Sequence, residues 1–540
     1  MLKRRCFALL LFLALFLAPL LAQHSGLATF DGQSWWNYVK VLAADDMEGR
    51  ETGSEGLRKA SAYVVEQLKK NGLEPAGTNG YYQPVKFVSR QIDESGSSLA
   101  LVRDGKAEPL VLGDDAMFST RFDLAPKVDA PLVFAGYGLR VPEVHYDDFS
   151  GLDVKGKVIV YIAGSPAEVP TALSAHYQSS GERARLLREL DIVGFISIPN
   201  PASMDIPWSR LKLSRTRPSM ALADPGLDDT RDVRLAVTFN PADAEKLFAG
   251  SGHTFAELVP LAKQRKPMPH FPLTAAIQAQ ATVIKKDVES DNIVAKLPGT
   301  DSKLKNQYVV LSAHIDHIGI GEPINGDKIY NGAMDNGSGS ALLLDLAAAL
   351  HESKLQTKRS LLFLWVTGEE KGLLGSRYFA SHPTVPKSAF IADLNTDMFL
   401  PIIPLKLLTV QGLNESTLGE DAREVAKQQG VEVQPDPEPL RNSFVRSDQY
   451  SFIRQGVPSL AMGVGAAKGS PEAAFQKEWL TKNYHAPSDD TNQHVDLAAA
   501  GKFEDIMLAL ALKVADAPQP PQWNSDSFFR RFVVQPGAGR

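Results

Sequence analysis

The 540-residue sequence predicts an α/β fold: a mostly parallel sheet covered by helices on both faces, interrupted by a separate β-rich domain. Three observations carry this. From residue 292 onward, strand-like and helix-like runs alternate. The strand-like runs are continuously apolar rather than alternating, as strands buried on both faces are. Between residues 109 and 281 the texture changes to short β-rich runs separated by Gly, Pro and Asp turns. Hydrophobic residues at 44% and charged residues at 22% exclude disorder and coiled coil as the main architecture. A net charge of −6 without long like-charge runs offers no basic surface for nucleic acid.

The elements follow in order. Lys3, Arg4 and Arg5 precede an apolar run over residues 6–21, broken by Pro19 and ended by the small Ala22. This order predicts a signal peptide over 1–22, since the run is short against the roughly 20 residues of a spanning helix. Its removal takes Cys6, the single cysteine, and so excludes a disulfide framework or a thiol nucleophile. The expected product is exported, with no stable membrane association after cleavage. Residues 23–108 form the first part of the main domain. There Thr52 and Glu55 have capping-box spacing, and Leu57, Val64 and Leu68 share one face of a helix ending near Lys69, Lys70 and Gly72. The insertion, 109–281, carries strands over 131–136 and 157–162 and a helix over 182–190. It has no Gly-x-Gly-x-x-Gly loop for a dinucleotide. Residues 282–517 resume the main domain with strands over 308–313, 360–367, 389–394 and 459–462. Helices are expected over 339–351, 373–380, 415–429 and 496–515. Residues 518–540 are an extension rich in Pro and aromatics.

Five polar clusters follow these strands or connect the elements. They are Ser312-Ala313-His314-Ile315-Asp316-His317, Met334-Asp335-Asn336-Gly337-Ser338-Gly339, Thr367-Gly368-Glu369-Glu370, Asn395-Thr396-Asp397-Met398 and Tyr484-His485-Ala486-Pro487-Ser488-Asp489. Singly each is ordinary: a structural His, a solvated Glu-Glu pair, an Asp-Asn-Gly turn. Open α/β sheets bind ligands beyond the carboxyl ends of their strands, and these clusters sit there. Imidazole nitrogens and carboxylate oxygens are the donors zinc takes. Carboxylates crowded together repel one another unless a cation relieves them.

With these motifs the sequence resembles the two-zinc aminopeptidases of the aminopeptidase S and Y type, whose clan includes glutamate carboxypeptidase II, the transferrin receptor and glutaminyl cyclase. Residues 42–54, Leu-Ala-Ala-Asp-Asp-Met-Glu-Gly-Arg-Glu-Thr-Gly-Ser, resemble an N-terminal family motif, and residues 292–299 resemble the strand leading back into the catalytic domain. The insertion resembles a protease-associated domain. The resemblance implies a zinc-dependent exopeptidase fold of the phosphorylase/hydrolase-like type and two Zn2+ per chain. His314, Asp335 and Asp397 would hold one ion; Asp335, Glu370 and His485 the other, with Asp335 bridging. Glu369 would be the general base and Asp316 would orient His314, with Asp489 placed similarly after His485. A cis peptide is implied at Asp335–Asn336.

The chain departs from the resemblance at Ser447-Asp448-Gln449, where family members often have Ser-Asp-His; this bears on local substrate contacts. His317, beside Asp316, reads either as a residue supporting the ligands or as a loop residue, the loop being preferred. The function expected is aminopeptidase action on peptide substrates, the carboxylate-rich centre favouring a substrate ammonium. A carboxypeptidase would need arginines for the terminal carboxylate. Arg441 and Arg446 are the local candidates and read as exposed loop charges. A glutaminyl-cyclase-like acyltransferase and a non-catalytic binding protein are the other readings of this fold. Neither a Gly-x-Ser-x-Gly elbow nor a His-Glu-x-x-His motif is present.

Overall fold

The computed structural model of the protein describes residues 29–204 and 206–533; the signal segment expected over 1–22 lies outside the described residues. The main sheet has ten strands. Its central four, Ser360–Val366, Tyr308–His314, Phe390–Asn395 and Ser459–Gly465, lie side by side and run parallel. The flanks are antiparallel: Val283–Leu297 against Ser360–Val366 on one side, Leu407–Gln411 against Ser459–Gly465 on the other. The sheet is therefore mixed, with a parallel centre. All residues of Tyr308–His314, Ser360–Val366 and Phe390–Asn395 are buried, which is why their sequences carry no polar alternation.

The period of two is present, but it separates two cores. Val309, Leu311, Leu361, Phe363 and Trp365 pack with residues of the helices Gln33–Leu42, Glu55–Lys70, Gly339–Ser353 and Leu497–Asp516. Val310, Leu362, Leu364 and Val366 point the other way, to Phe379 of Leu374–Ser381 and Phe452 of Gln449–Ile453. Each such side chain fully buried contributes about 1.5–3 kcal/mol. Both faces thus anchor the strands whose ends carry the polar clusters.

The second sheet has eight strands and its own apolar core. It begins with Ser98–Arg103 and Lys106–Leu110, ahead of residue 109. Within the segment 109–281, the strand Ser219–Leu222 instead joins the main sheet, pairing with Tyr82–Ile92. The strands therefore do not divide at 109. Tyr82–Ile92 and Val283–Leu297 pair from Ile293↔Tyr82 to Val283↔Ile92 and form the ribbon that leads from one sheet to the other.

The first long helix is Glu55–Lys70, and its cap is Ser54, whose side chain accepts from the Leu57 N–H at 3.1 Å. The expected Thr52–Glu55 capping box is corrected by this, because the Thr52 hydroxyl is committed to Asp316. The extension also packs. Trp523 and Phe529 join Val445, Tyr450 and Ala175, and the Trp523 indole donates to the Gly456 carbonyl at 2.9 Å. No helix of the described residues is long and apolar enough to cross a membrane.

Candidate metal centre

The five polar clusters meet at the carboxyl ends of the parallel strands. His314 ends its strand, and Glu369 and Glu370 follow Ser360–Val366. Asp397 follows Phe390–Asn395. Asp335 lies in the turn before helix Gly339–Ser353, and His485 in the loop after Pro471–Lys482. The Asp335–Asn336 peptide is cis.

The donors pair off around the two oxygens of Asp335. His314 Nε2 stands 3.4 Å from Asp335 Oδ1 and 3.3 Å from Asp397 Oδ1. His485 Nε2 stands 3.2 Å from Asp335 Oδ2 and 3.3 Å from Glu370 Oε2. Four donors at bonds of about 2.0–2.1 Å around a tetrahedral ion are about 3.3 Å apart, so these spacings are those of ligand pairs sharing an ion. Glu370 Oε1 is buried and has no hydrogen-bond partner. The residues therefore fit zinc in both chemistry and spacing.

The electrostatics are those of a cation site. Burial and Glu370 push the Asp335 carboxyl up, but His317, His314 and His485 bring it down to about 2. Burial opposes ionisation of Glu370 as well, yet His485 and His317 hold it well below the usual range. Burial lowers the His485 imidazole, whereas Glu370 and Asp335 raise it to about 9. His314 is depressed by burial and carried well above its usual value by Asp397, Glu369 and Asp335. Glu369 goes the other way from Glu370. Burial raises it, Asp397, Glu370 and Asp448 add to that against His314, and it lies well above the ordinary carboxylate value. A metal ion would replace the imidazole protons as the positive charge.

Two expected orienting roles are placed differently. His314 Nδ1 meets the main-chain carbonyl of Asp316, at 3.0 Å, not its carboxylate. That contact leaves Nε2 bare toward the centre. The Asp316 carboxylate instead accepts from the Thr52 hydroxyl at 2.8 Å and from the Glu369 N–H at 3.1 Å. Asp489 does not turn to His485. It accepts from the Met334 and Asp335 N–H groups at 2.9 and 3.0 Å. Gln449 is buried and accepts from Asn395 at 2.8 Å, bracing the strand that leads to Asp397. Arg446 is exposed, as expected of it.

Two residues, Arg50 and Arg121, escaped the sequence reading, and a third, His317, is placed differently from the loop it preferred. His317 is fully buried beside Glu370 and Asp335 rather than in an open loop. Its only sequence signal is its place three residues after His314. Arg50, inside the N-terminal motif, donates to the carbonyls of Leu42, Ile315, Asn331 and Gly332, beside the loops that carry His317 and Asp335. Arg121, from a turn beside the smaller sheet, reaches the rim: a Cβ on Gly372 would lie 3.7 Å from its guanidinium carbon.

A parallel-centred α/β sheet with paired His and carboxylate donors at its strand ends defines an α/β protein with a candidate metal centre. Residues 292–511 match the family model described as Peptidase family M28. Among curated proteins, the chain is 27% identical over 237 residues to leupeptin-inactivating enzyme 1 of Streptomyces exfoliatus, covering 43% of this chain and 50% of that one. It is 24% identical over 370 residues to carboxypeptidase Q of Xenopus laevis, covering 67% and 65%. The chain thus spans half to just under two thirds of the length of these curated relatives. Its fold is that of an aminopeptidase structure from Aneurinibacillus sp. strain AM-1, with a TM-score of 0.56 at 18% identity over 91% of this chain and 95% of that one.

Proposed function

We propose that the protein is an exported two-zinc exopeptidase that removes N-terminal residues from peptides. The observation that carries this is the division of the two Asp335 oxygens between two imidazole–carboxylate pairs at ligand spacing. His314, Asp335 and Asp397 hold one ion, and Asp335, Glu370 and His485 the other. When bound, zinc lowers the pKa of a water to about 7 and polarises a carbonyl. Glu369, adjacent to a ligand yet outside the set, takes the proton of the attacking water on its carboxylate and returns it to the leaving amine. Asp316 holds the Glu369 main chain through one oxygen and is itself held by Thr52. A free substrate ammonium is favoured beside Glu369, Glu370 and Asp397. The eight-stranded unit is read as a protease-associated insertion, supported by its separate core. Export rests on the order of basic, apolar and small residues over 1–22.

One observation favours a carboxypeptidase as the second reading. Carboxypeptidase Q matches 67% of this chain, against 43% for leupeptin-inactivating enzyme 1. Arg121 at the rim would suit a terminal carboxylate. Metal analysis alongside three substrates tests both: a leucyl chromogenic amide, its N-acetylated form, and an N-blocked peptide with a free C-terminus. Cleavage of the first alone, by protein holding two zinc ions, is expected. Release of the last residue from the third overturns the aminopeptidase reading. Activity without metal overturns both.

A further inference from the structure

His317 lies at the edge of the second donor group, and the ligand set proposed above leaves it out. Its side chain is fully buried, and neither ring nitrogen has a hydrogen-bond partner among the described residues. Nε2 has no hydrogen-bond partner among the described residues, and a buried polar atom left so costs about 1–3 kcal/mol. Nδ1 is 2.8 Å from Glu370 Oε1 and 3.7 Å from Asp335 Oδ2. Nδ1 and Oε1 are in ion-pair contact without meeting hydrogen-bond geometry. With Asp335 they form a group of three donor atoms, all within 4.8 Å of one another, that could hold a metal ion.

The ring is held in place from behind. Gly332 has φ +62°, and a Cβ there would lie 2.5 Å from His317 Cδ2 and 2.6 Å from Cγ, so only glycine lets the imidazole seat against this backbone. The His317 N–H donates to the Arg50 carbonyl at 3.0 Å. The His485 ring faces the His317 ring at 5.9 Å and 69°, across the Glu370 and Asp335 oxygens.

The geometry points to His317 Nδ1 as a fourth protein donor to the metal held by Asp335, Glu370 and His485. This rests on the two-zinc reading and deepens it by making the sites unequal. The His314 site has three protein donors and keeps an open position; the His317 site has four and is closed by protein. The first is disposed to take substrate, the second to stay filled.

Zinc titrated calorimetrically into metal-free full-length protein, against a competing chelator, tests this. Wild type is expected to show one tight and one weaker site. His317→Gln is expected to weaken the tight site at least about tenfold and leave the weaker one unchanged. Equal affinities in wild type, or a tight site in His317→Gln within threefold of wild type, would overturn the assignment. Should His317→Gln fail to fold, X-ray absorption on wild-type protein loaded with one zinc per chain decides. Two imidazoles per zinc support the proposal, and one overturns it. Asp335→Ala is titrated in parallel. If it keeps both zinc ions, the ligand set shared through Asp335, on which this proposal rests, has failed. If it loses them while His317→Gln binds normally, only the role of His317 has.

Discussion

Asp489 accepts the backbone N–H of Asp335 through Oδ2 at 3.0 Å, while its Oδ1 takes the Met334 N–H at 2.9 Å. The loop that delivers His485 therefore also fixes the turn that delivers the residue shared by both donor groups. The two loops come from distant parts of the chain, and one carboxylate locks them together. Asp489→Asn would turn an amide N–H₂ toward a backbone N–H and lose one of the two bonds. A hydrogen bond to a buried charged group is worth about 1.5–3 kcal/mol. The variant should melt several degrees below wild type and bind zinc more weakly at both sites. Calorimetric melting with zinc analysis checks this, and an unchanged melting temperature would sink it.

Glu369→Gln keeps the size and the backbone bond to Asp316 but cannot take a proton. Loss of a positioned general base costs about 10²–10⁴ in rate. The expected outcome is kcat reduced by that factor, with zinc content near wild type. Turnover within tenfold of wild type, or loss of zinc, would reject Glu369 as the base.

Much of this site was legible from sequence, and the reasons are local. His314, Glu370 and Asp397 follow continuous apolar runs, and strand ends in an α/β sheet converge by topology. The main-sheet strands and the helices Gly339–Ser353 and Leu497–Asp516 stand within a few residues of their predicted places, because buried strands and Ala/Leu-rich helices announce themselves by composition. What stayed hidden depends on contacts between segments far apart in sequence. Ser54 rather than Thr52 caps the helix because Thr52 has a partner 264 residues away, Asp316. Ser219–Leu222 leaves its surroundings for the main sheet, which no local pattern shows. His317 reads as a loop residue until Gly332 and Arg50 are seen to seat it.

Arg50 is fully buried and donates to four backbone carbonyls, one of them on Gly332 and one on Ile315. Burial draws its pKa down to about 10, against the pull of Asp489, Asp335, Asp316 and Glu370. Lysine cannot reproduce the planar fork, so Arg50→Lys should strand several of these carbonyls. The cost is on the order of 3 kcal/mol or more, from at least two buried acceptors left unpaired at about 1–3 kcal/mol each. Urea unfolding is expected to show that loss, and zinc should restore part of it. A midpoint equal to wild type would refute this bracing role.

His176 links the two sheets' units and should make the protein acid-sensitive. It sits on helix Thr171–Gln178, and its Nδ1 meets the Tyr450 hydroxyl at 2.7 Å. Phe528 and Phe532 of the C-terminal extension pack on its ring at 5.1 and 5.7 Å. Four charges face it, Glu182, Glu143, Arg454 and Arg531. Burial is the largest influence, and the imidazole falls to about 4. A folded-state value below the unfolded value of about 6.5 means that folding favours the neutral ring. Its contribution is complete above pH 6.5 and is lost as pH falls toward 4, where protonation opposes folding. Between pH 7 and pH 4.5 this amounts to about 2 kcal/mol. His176→Gln removes the titration, although it also loses ring packing. The variant should therefore be less stable than wild type at pH 7, and the gap should narrow by about 2 kcal/mol at pH 4.5. Urea midpoints at both pH values measure it. A gap that stays constant would show that His176 does not titrate in this window.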